Sequence, residues 1–265
     1  LTRDNNEALV FARILEERIR VALVASRPSS DLAFLRRSLA ADSTLNVDVI
    51  IQKDAQSFYG DVGDYTAMRA SDVLVLLGYD EGVWSQDALG LMRERVRDGM
   101  GLLFVAGTDG IDWWQNPSGI DELLPVERRR SPFVEGLTSL RRSSQGTDHP
   151  IVRSNLEQQG DLWSDLPPLT GYFPLTQQRQ GALTLLESQG GVPIVVSGVY
   201  GKGKTLAALS HSFWRLDLLS SGAAGHPLTI RKFWRNGVRW LATESSVGRV
   251  RASTERAVYR AGSSV

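Results

Sequence analysis

Short runs rich in apolar residues alternate with amphipathic segments through the first hundred residues of the chain. The apolar runs cover residues 20–26, 46–52, 72–78 and 100–106. Runs of this length, bounded by turn residues, are typical of parallel strands that are buried on both faces. The segments 31–41 and 85–98 have helical spacing, and Ser30 or Asp31 is predicted to cap the first of them. The alternation predicts a doubly wound α/β sheet with ligands at the carboxyl ends of its strands.

Periodicity is lost between residues 111 and 170 and returns afterwards. The middle part collects proline, serine, glycine and arginine, which predicts an insertion or cap with short strands. Three strand-like runs follow, at residues 182–188, 193–198 and 204–211. A last helix is predicted over 226–243, with an apolar face made of Ile230, Phe233, Trp234, Val238 and Leu241. Such a stripe indicates packing against the sheet, and Trp214 and Trp240 are also predicted in the core.

The ends of the chain differ in pattern from its centre, which indicates three segments. Residues 1–19 are predicted to enter from a preceding module, 20–245 to form the main α/β domain, and 246–265 to start a following β module. The chain has 265 residues, of which 42% are hydrophobic, enough for one large core. Because it begins with Leu1 rather than methionine, we expect it to be a piece of a longer protein.

Charge and composition exclude several classes of function. Thirty basic residues balance thirty acidic ones, so no overall field favours nucleic acid, and no nucleic-acid partner is predicted. The chain has no cysteine and no histidine pair spaced for zinc, so neither a metal nor a cofactor is predicted. His149, His211 and His226 are interpreted as loop or capping residues, with an acid–base role as the alternative.

The fourth predicted strand runs into a tight glycine turn, where many α/β hydrolases carry their nucleophile. Gly107, Thr108 and Asp109 occupy this turn. A threonine or a carboxylate there would need a different activating partner from a thiol. We therefore predict a vestigial elbow with no assigned catalytic residue. The possible pocket around it comprises Asp80, Asp109, Trp113, Trp114 and His211.

A series of segments together resembles one protein family. In chain order the segments are RVALVASRPSSDLAFLRRSL, ASDVLVLLGYD, RDGMGLLFVAGTDG, DELLPVE, HPIV, LPPLTGYFPL, GALTLL, YGKGKTLAALSHSFWRL and FWRNGVRWLA. The series is similar to the class I glutamine amidotransferase-like domain of large bacterial membrane proteins, which often stands near von Willebrand A-type or aerotolerance-type domains. The resemblance spans most of the chain.

The resemblance implies an α/β fold of the three-layer flavodoxin-like type, with a parallel-core sheet, helices on both faces and a late antiparallel hairpin. It implies a membrane-anchored, extracytoplasmic domain whose partners are other domains of the same membrane protein or envelope proteins, with contact to the membrane through flanking segments. A cytoplasmic location is the alternative. Active members use a Cys-His-Glu triad, whereas Thr108 or Asp109 occupies the elbow here. The resemblance therefore predicts a pseudoenzyme, a non-catalytic structural or interaction domain of a bacterial envelope protein.

Two other functions stay open at this stage. A hydrolase or amidase could use a serine, threonine or aspartate, and Ser210 or Ser212 with a histidine is one possible arrangement. The second alternative is nucleotide binding, because one segment satisfies the P-loop pattern G-x-x-x-x-G-K-[ST]. Its defining residues are Gly198, Gly203, Lys204 and Thr205. A P-loop requires a helix directly after this segment, whereas the resembling family has a hairpin there.

Overall fold

Strands and helices alternate through the first half of the protein in a computed structural model, which describes residues 18–53, 57–59, 65–78, 84–107, 119–128, 132–153, 163–220 and 227–243. The strands are β1 (Ile19–Ala25), β2 (Leu45–Gln52), β3 (Phe58–Tyr59), β4 (Val73–Leu77), β5 (Gly101–Val105), β6 (Val126–Arg128), β7 (Val134–Thr138), β8 (Leu140–Arg142), β9 (Leu169–Tyr172), β10 (Leu175–Gln178), β11 (Leu183–Ser188), β12 (Pro193–Tyr200) and β13 (Gly203–Ala208). The helices are α1 (Ser30–Ala40), α2 (Thr66–Ala70), α3 (Gln86–Asp98), α4 (Phe213–Ser220) and α5 (Pro227–Ala242). The predicted entering segment before residue 18 and the predicted β module after 245 lie outside these ranges.

The described residues form one nine-stranded sheet in the order β3-β2-β1-β4-β5-β13-β12-β11-β8. Strands β2, β1, β4, β5 and β13 run parallel. Their order is that of flavodoxin-like folds, in which the chain first adds a strand on one side and then on the other. Strands β12, β11 and β8 extend the sheet in antiparallel fashion, so the late hairpin is present as predicted.

Alternate residues of the parallel strands enter two separate cores. Val21 and Leu23 of β1 pack on the face covered by α1, α4 and α5. Ala22 and Val24 pack on the opposite face, with α2 and α3. Burial on both faces explains why these strands are continuous apolar runs in the sequence, and it confirms the three-layer arrangement. None of the helices in the described part of the chain is long and apolar enough to cross a membrane.

The predicted helices form nearly where expected, with one correction at α1. Its N-cap is Ser29, whose hydroxyl accepts a hydrogen bond from the backbone nitrogen of Leu32 at 3.1 Å, and not Ser30 or Asp31. The apolar face predicted for α5 is confirmed, because all five of its residues are no more than 1% exposed. The described parts of the middle region add two small sheets, β6 with β10 and β7 with β9.

Candidate functional site

A cavity of about 380 Å³ lies at the carboxyl ends of the parallel strands. Ser26 follows β1, Gly78 follows β4, Gly107 lies just beyond β5 and His211 lies beyond β13, and all four line the cavity. Strands β1 and β4 are the neighbours at which the strand order reverses. In open α/β sheets this reversal splays the connecting loops apart and creates the ligand crevice. The position of the cavity is therefore the one that the fold favours for binding.

Two helices begin at the wall of this cavity, and one carboxyl group joins them. Ser29, Ser30 and Asp31 come from the start of α1, and Trp214 and Arg215 from the start of α4. Asp31 Oδ1 accepts a hydrogen bond from the backbone nitrogen of Trp214 at 3.1 Å. Asp31 belongs to the first turn of α1, but its side chain caps the start of α4. The bond fixes the two helix starts relative to each other.

Asp31 is the one acid among the described residues that line the cavity, and its pKa is strongly raised. The residue is 8% exposed, and burial raises its pKa from 3.8 to about 7, while the hydrogen bond from the backbone of Trp214 lowers the pKa and offsets part of that rise. Burial favours the neutral form because a carboxylate loses its hydration in the protein interior. The protonated and ionised forms of Asp31 are therefore about equally populated near neutral pH.

His211 faces the same cavity, and its imidazole packs against aromatic rings. Its ring centroid lies 4.6 Å from that of Phe133 and 6.3 Å from that of Phe173. Burial lowers the pKa of His211, so the neutral imidazole predominates at pH 7. Of the residues predicted for the pocket, His211 is the one that the described ranges include, and it lines this cavity.

The two serines proposed as nucleophiles hold loop backbone in place. Ser210 is fully buried and donates its hydroxyl proton to the carbonyl oxygen of Gly171 at 2.8 Å. Ser212 accepts a hydrogen bond from the backbone nitrogen of Thr170 at 3.0 Å. The two hydroxyl oxygens are 3.3 Å apart. This network fastens β9 to the segment after β13, which accounts for both hydroxyls without catalysis.

Most of the predicted elbow lies outside the described residues. Gly107 is described and lines the cavity. Thr108, Asp109, Asp80, Trp113 and Trp114 lie outside the described ranges, as does His226. Within those ranges, no group of three or more histidine, aspartate or glutamate residues could hold a metal ion.

The P-loop match is a β-hairpin, which corrects the nucleotide-binding alternative. Tyr200 of β12 pairs with Gly203 of β13 across the two-residue loop Gly201-Lys202. Gly201 has a φ of 61°, and a glycine with positive φ at the first loop position is typical of a tight hairpin turn. A Cβ atom on Gly203 would overlap the carbonyl oxygen of Val96 at the end of α3. This glycine is therefore required by close packing and not by phosphate binding.

The other residues of the match are also used by the fold. Gly198 faces Pro125, whose Cβ would lie 2.7 Å from an added Cβ atom, and Thr205 is 1% exposed. Lys204 Nζ donates to the carbonyl oxygen of Trp240 at 3.2 Å and to the hydroxyl of Thr243, at the carboxyl end of α5. A strand, not a helix, follows the glycines, so no helix N-terminus is available there for phosphate. The hairpin tip lies at the end of the sheet where the parallel strands begin, whereas the cavity lies at their carboxyl ends.

His149 belongs to this second cluster and not to the cavity. Its ring centroid lies 4.9 Å from that of Trp240, and Lys204 Nζ lies 4.8 Å from the centre of a Trp240 ring. Burial and, to a smaller extent, the positive charge of Lys204 lower the pKa of His149 to about 4. His149 is therefore mainly neutral at pH 7 and packs against Trp240.

Sequence reasoning missed three charged side chains of the cavity, namely Arg27, Asp31 and Arg215. Arg27 and Asp31 follow β1 directly, so the rule that ligands bind beyond the carboxyl ends of strands was a usable signal for them. Arg215 had no such signal, because its place depends on how α4 starts after β13. Trp214, predicted in the core, is half-buried and lines the cavity.

Several solved structures have a similar fold. "Cytoplasmic Protein STM1381" from Salmonella typhimurium LT2 is 19% identical over 83% of this chain and 98% of that chain, with a TM-score of 0.59. "Cytoplasmic Protein STM3548" from Salmonella typhimurium is 17% identical over 84% and 99%, with a TM-score of 0.61. A ThuA-like protein from Bacteroides uniformis ATCC 8492 is 11% identical over 88% and 95%, with a TM-score of 0.52.

No protein-family model matches the sequence, and no curated protein matches it. At these identities the structural neighbours establish the fold alone. They agree with the predicted α/β, flavodoxin-like architecture.

Proposed function

We propose that this protein is a non-catalytic binding domain, which recognises a small polar ligand in the cavity between α1 and α4. The observation that carries the proposal is that the cavity stands at the ligand-binding edge of the sheet in a chain without cysteine. Cysteine-dependent amidotransferases need a thiolate to form their acyl intermediate, and no sulfur nucleophile is available here. The domain therefore keeps a ligand-binding cavity but has no thiol that could act as the nucleophile.

The polar groups of the described site support binding more than turnover. Ser210 and Ser212 hold backbone groups, and His211 is neutral and packed between aromatic rings. A cavity of about 380 Å³ falls in the range that accommodates small molecules. Hydroxyl and charged side chains at its rim indicate a polar ligand.

The cellular setting is a further part of the proposal and depends on the sequence resemblance. By that resemblance the domain belongs to a membrane-anchored bacterial envelope protein, and its partners are other domains of that protein or other envelope proteins. The names of two fold neighbours describe cytoplasmic proteins, so a cytoplasmic setting is the competing proposal. Protease accessibility of the full-length protein in intact spheroplasts distinguishes the two, because only an extracytoplasmic domain is cleaved before lysis.

Thermal shift against a panel of small polar metabolites tests binding, with two matched tryptophan variants. Ser30→Trp places a bulky ring at an exposed position on the cavity rim. Ala40→Trp adds the same ring at the exposed last residue of α1, away from the cavity. We expect a ligand that raises Tm of the wild type and of Ala40→Trp, and has little effect on Ser30→Trp.

Turnover assays with glutamine and with a chromogenic ester test the non-catalytic part of the proposal. We expect no ammonia and no alcohol release above the buffer rate. Turnover that is lost in Ser30→Trp would establish the hydrolase alternative instead. A failure of every panel ligand to discriminate the two tryptophan variants would refute the binding role.

A further inference from the structure

The charged side chains on the cavity wall favour a negatively charged ligand. Arg27 and Arg215 contribute two guanidinium groups, and Asp31 contributes one carboxyl group. Arginine keeps its charge at any physiological pH, whereas a half-protonated aspartate contributes less than one full negative charge. The described residues of the wall therefore carry a net positive charge whether or not Asp31 holds its proton. An anion is the ligand class that this balance attracts.

Arg215 lines the cavity and has one hydrogen-bond donor without an acceptor. Its Nε is buried and has no hydrogen-bond partner among the described residues. The guanidinium carbon lies 5.8 Å from the centre of the ring of Trp214, which holds the side chain beside the cavity. A buried donor without an acceptor is unfavourable. Guanidinium groups form strong, often bidentate hydrogen bonds to carboxylates and phosphates, so an arginine on the cavity wall favours an oxyanion as the ligand.

Backbone groups reinforce this preference. Helices α1 and α4 both begin at the cavity, and the start of a helix carries partial positive charge. Asp31 already accepts the hydrogen bond from the backbone of Trp214 at the start of α4. At the start of α1, Ser29 accepts the hydrogen bond from the backbone nitrogen of Leu32. The backbone N–H groups of Ser30 and Asp31, the first residues of this helix, are then left to donate to a ligand. The hydroxyl group of Ser30 is a further donor on the wall.

We infer that the cavity binds the oxyanion group of a small molecule, a carboxylate or a phosphate, between Arg27, Arg215 and the start of α1. This inference rests on the proposed binding function and specifies its ligand class. The volume of about 380 Å³ accommodates an oxyanion together with a small body, which favours a metabolite over a peptide segment.

Asp31 makes binding depend on pH. Within the described ranges, the charged and titratable groups that line the cavity with it are Arg27, His211 and Arg215. An ionised Asp31 repels a bound oxyanion, whereas its neutral form donates a hydrogen bond to it. His211 stays mainly neutral at pH 7 and above because burial lowers its pKa. Binding is therefore accompanied by proton uptake at Asp31 and weakens as the pH rises through about 7, the pKa of Asp31.

NMR titration of the whole chain tests the inference at constant ionic strength. The probes are sulfate, as a stand-in for phosphate, acetate for a carboxylate, and glycerol as a neutral control. The charges of sulfate and of acetate do not change between about pH 6 and pH 8, so any pH effect comes from the protein. We expect saturable shifts of the backbone amide signals of Ser30 and Asp31 with one or both anions, and none with glycerol. Whichever anion binds more tightly identifies the oxyanion.

Matched variants locate the site. Arg215→Gln removes a half-buried guanidinium from the cavity wall, and we expect it to weaken anion binding about tenfold or more, since hydrogen bonds to charged groups are strong. Arg27→Gln is the second variant, because this residue is exposed and its replacement is compatible with folding. Arg36→Gln removes an equal charge from the exposed face of α1 and should change affinity less than about twofold. Equal weakening by all three variants would mean non-specific attraction and would overturn the inference.

Asp31→Asn gives an independent readout. This variant keeps an acceptor for the Trp214 backbone and removes the ionisable group. Wild-type affinity should be about five- to tenfold higher at about pH 6 than at about pH 8, whereas the asparagine variant should show the same affinity at both. A neutral panel ligand in the cavity, with no effect of either anion, would refute the inference and leave the proposed function standing. If neither an anion nor a panel ligand binds in the cavity, both the inference and the proposed function are refuted.

Discussion

Asp31 accepts a hydrogen bond from the backbone nitrogen of Trp214 at 3.1 Å, across 183 residues of sequence. The bond joins the first turn of α1 to the start of α4 at the edge of the sheet where the cavity opens. One buried carboxyl group thus shapes the site and contributes its adjustable charge. Both consequences can be measured.

The first prediction concerns stability and pH. The pKa of Asp31 is about 7 in the folded protein and near 3.8 in the unfolded chain, so the folded state retains a proton that the unfolded state releases between these values. Stability therefore falls as pH rises from about 4 to 7, by on the order of 4 kcal/mol, and is unaffected by this group above that window. The Asp31→Asn variant should not show this loss of stability with rising pH.

Urea unfolding of the two proteins at about pH 5 and pH 8 measures this effect. The difference between wild type and variant isolates Asp31 from the buried histidines, which contribute a slope of opposite sign at acid pH. Asp42 and Asp72 have lowered pKa values, so their contributions are lost only below about pH 4. Parallel pH profiles of wild type and Asp31→Asn would contradict the assignment.

The second prediction concerns His149 and its neighbour Lys204. The positive charge of Lys204 helps to lower the pKa of His149 to about 4. Lys204→Met should therefore raise the pKa of His149, as followed by its imidazole signals in an NMR titration. Lys202→Met, at the exposed tip of the same hairpin, should leave that pKa unchanged. An unchanged value in Lys204→Met would show that burial alone accounts for the lowered pKa.

The third prediction separates the hairpin from a P-loop. Because Lys204 holds the carboxyl end of α5, we expect no saturable binding of Mg-ATP in calorimetry. Lys204→Ala should instead lower the free energy of unfolding by about 1–2 kcal/mol, through lost hydrogen bonds to Trp240 and Thr243. Lys202→Ala should change it by less than about 0.5 kcal/mol. Micromolar Mg-ATP binding that Lys204→Ala abolishes would restore the nucleotide alternative.

The fourth prediction compares two glycines. Gly203→Ala would push a methyl group into the backbone of α3 at Val96, so it should destabilise the fold by about 2–3 kcal/mol. Gly90 lies within α3 at an exposed position with open space around it. Gly90→Ala should therefore stabilise the protein by about 0.5–1 kcal/mol, because alanine favours helix. Thermal unfolding of both variants distinguishes these opposite signs.

The fold could be predicted from the sequence because its main signals are local. Runs such as Val21–Ala25 and Leu102–Val105 are apolar at every position, which only a strand buried on both faces requires. The stripe of α5 was equally clear. At α1 the prediction was wrong by one or two residues, because Ser29, Ser30 and Asp31 can all cap a helix and only the extended backbone of Ser29 decides.

The site was harder to predict because its relationships are long-range. Nothing near Asp31 in the sequence indicates that its partner is Trp214, and the raised pKa of Asp31 arises from burial that both helices create. The P-loop pattern shows the opposite problem, because it indicates a binding site that the structure does not form. Its glycines and lysine are present, but packing against Val96 and Trp240 explains them. Residue type alone could not separate these roles.

Mass spectrometry of the protein with the metabolite panel, recorded first under native and then under denaturing conditions, tests the binding function most directly. We predict a ligand adduct in the native spectrum that disappears on denaturation, leaves the ligand chemically unchanged and is absent from Ser30→Trp. An acyl adduct that survives denaturation would contradict the account, because it would require an attacking nucleophile in this cavity.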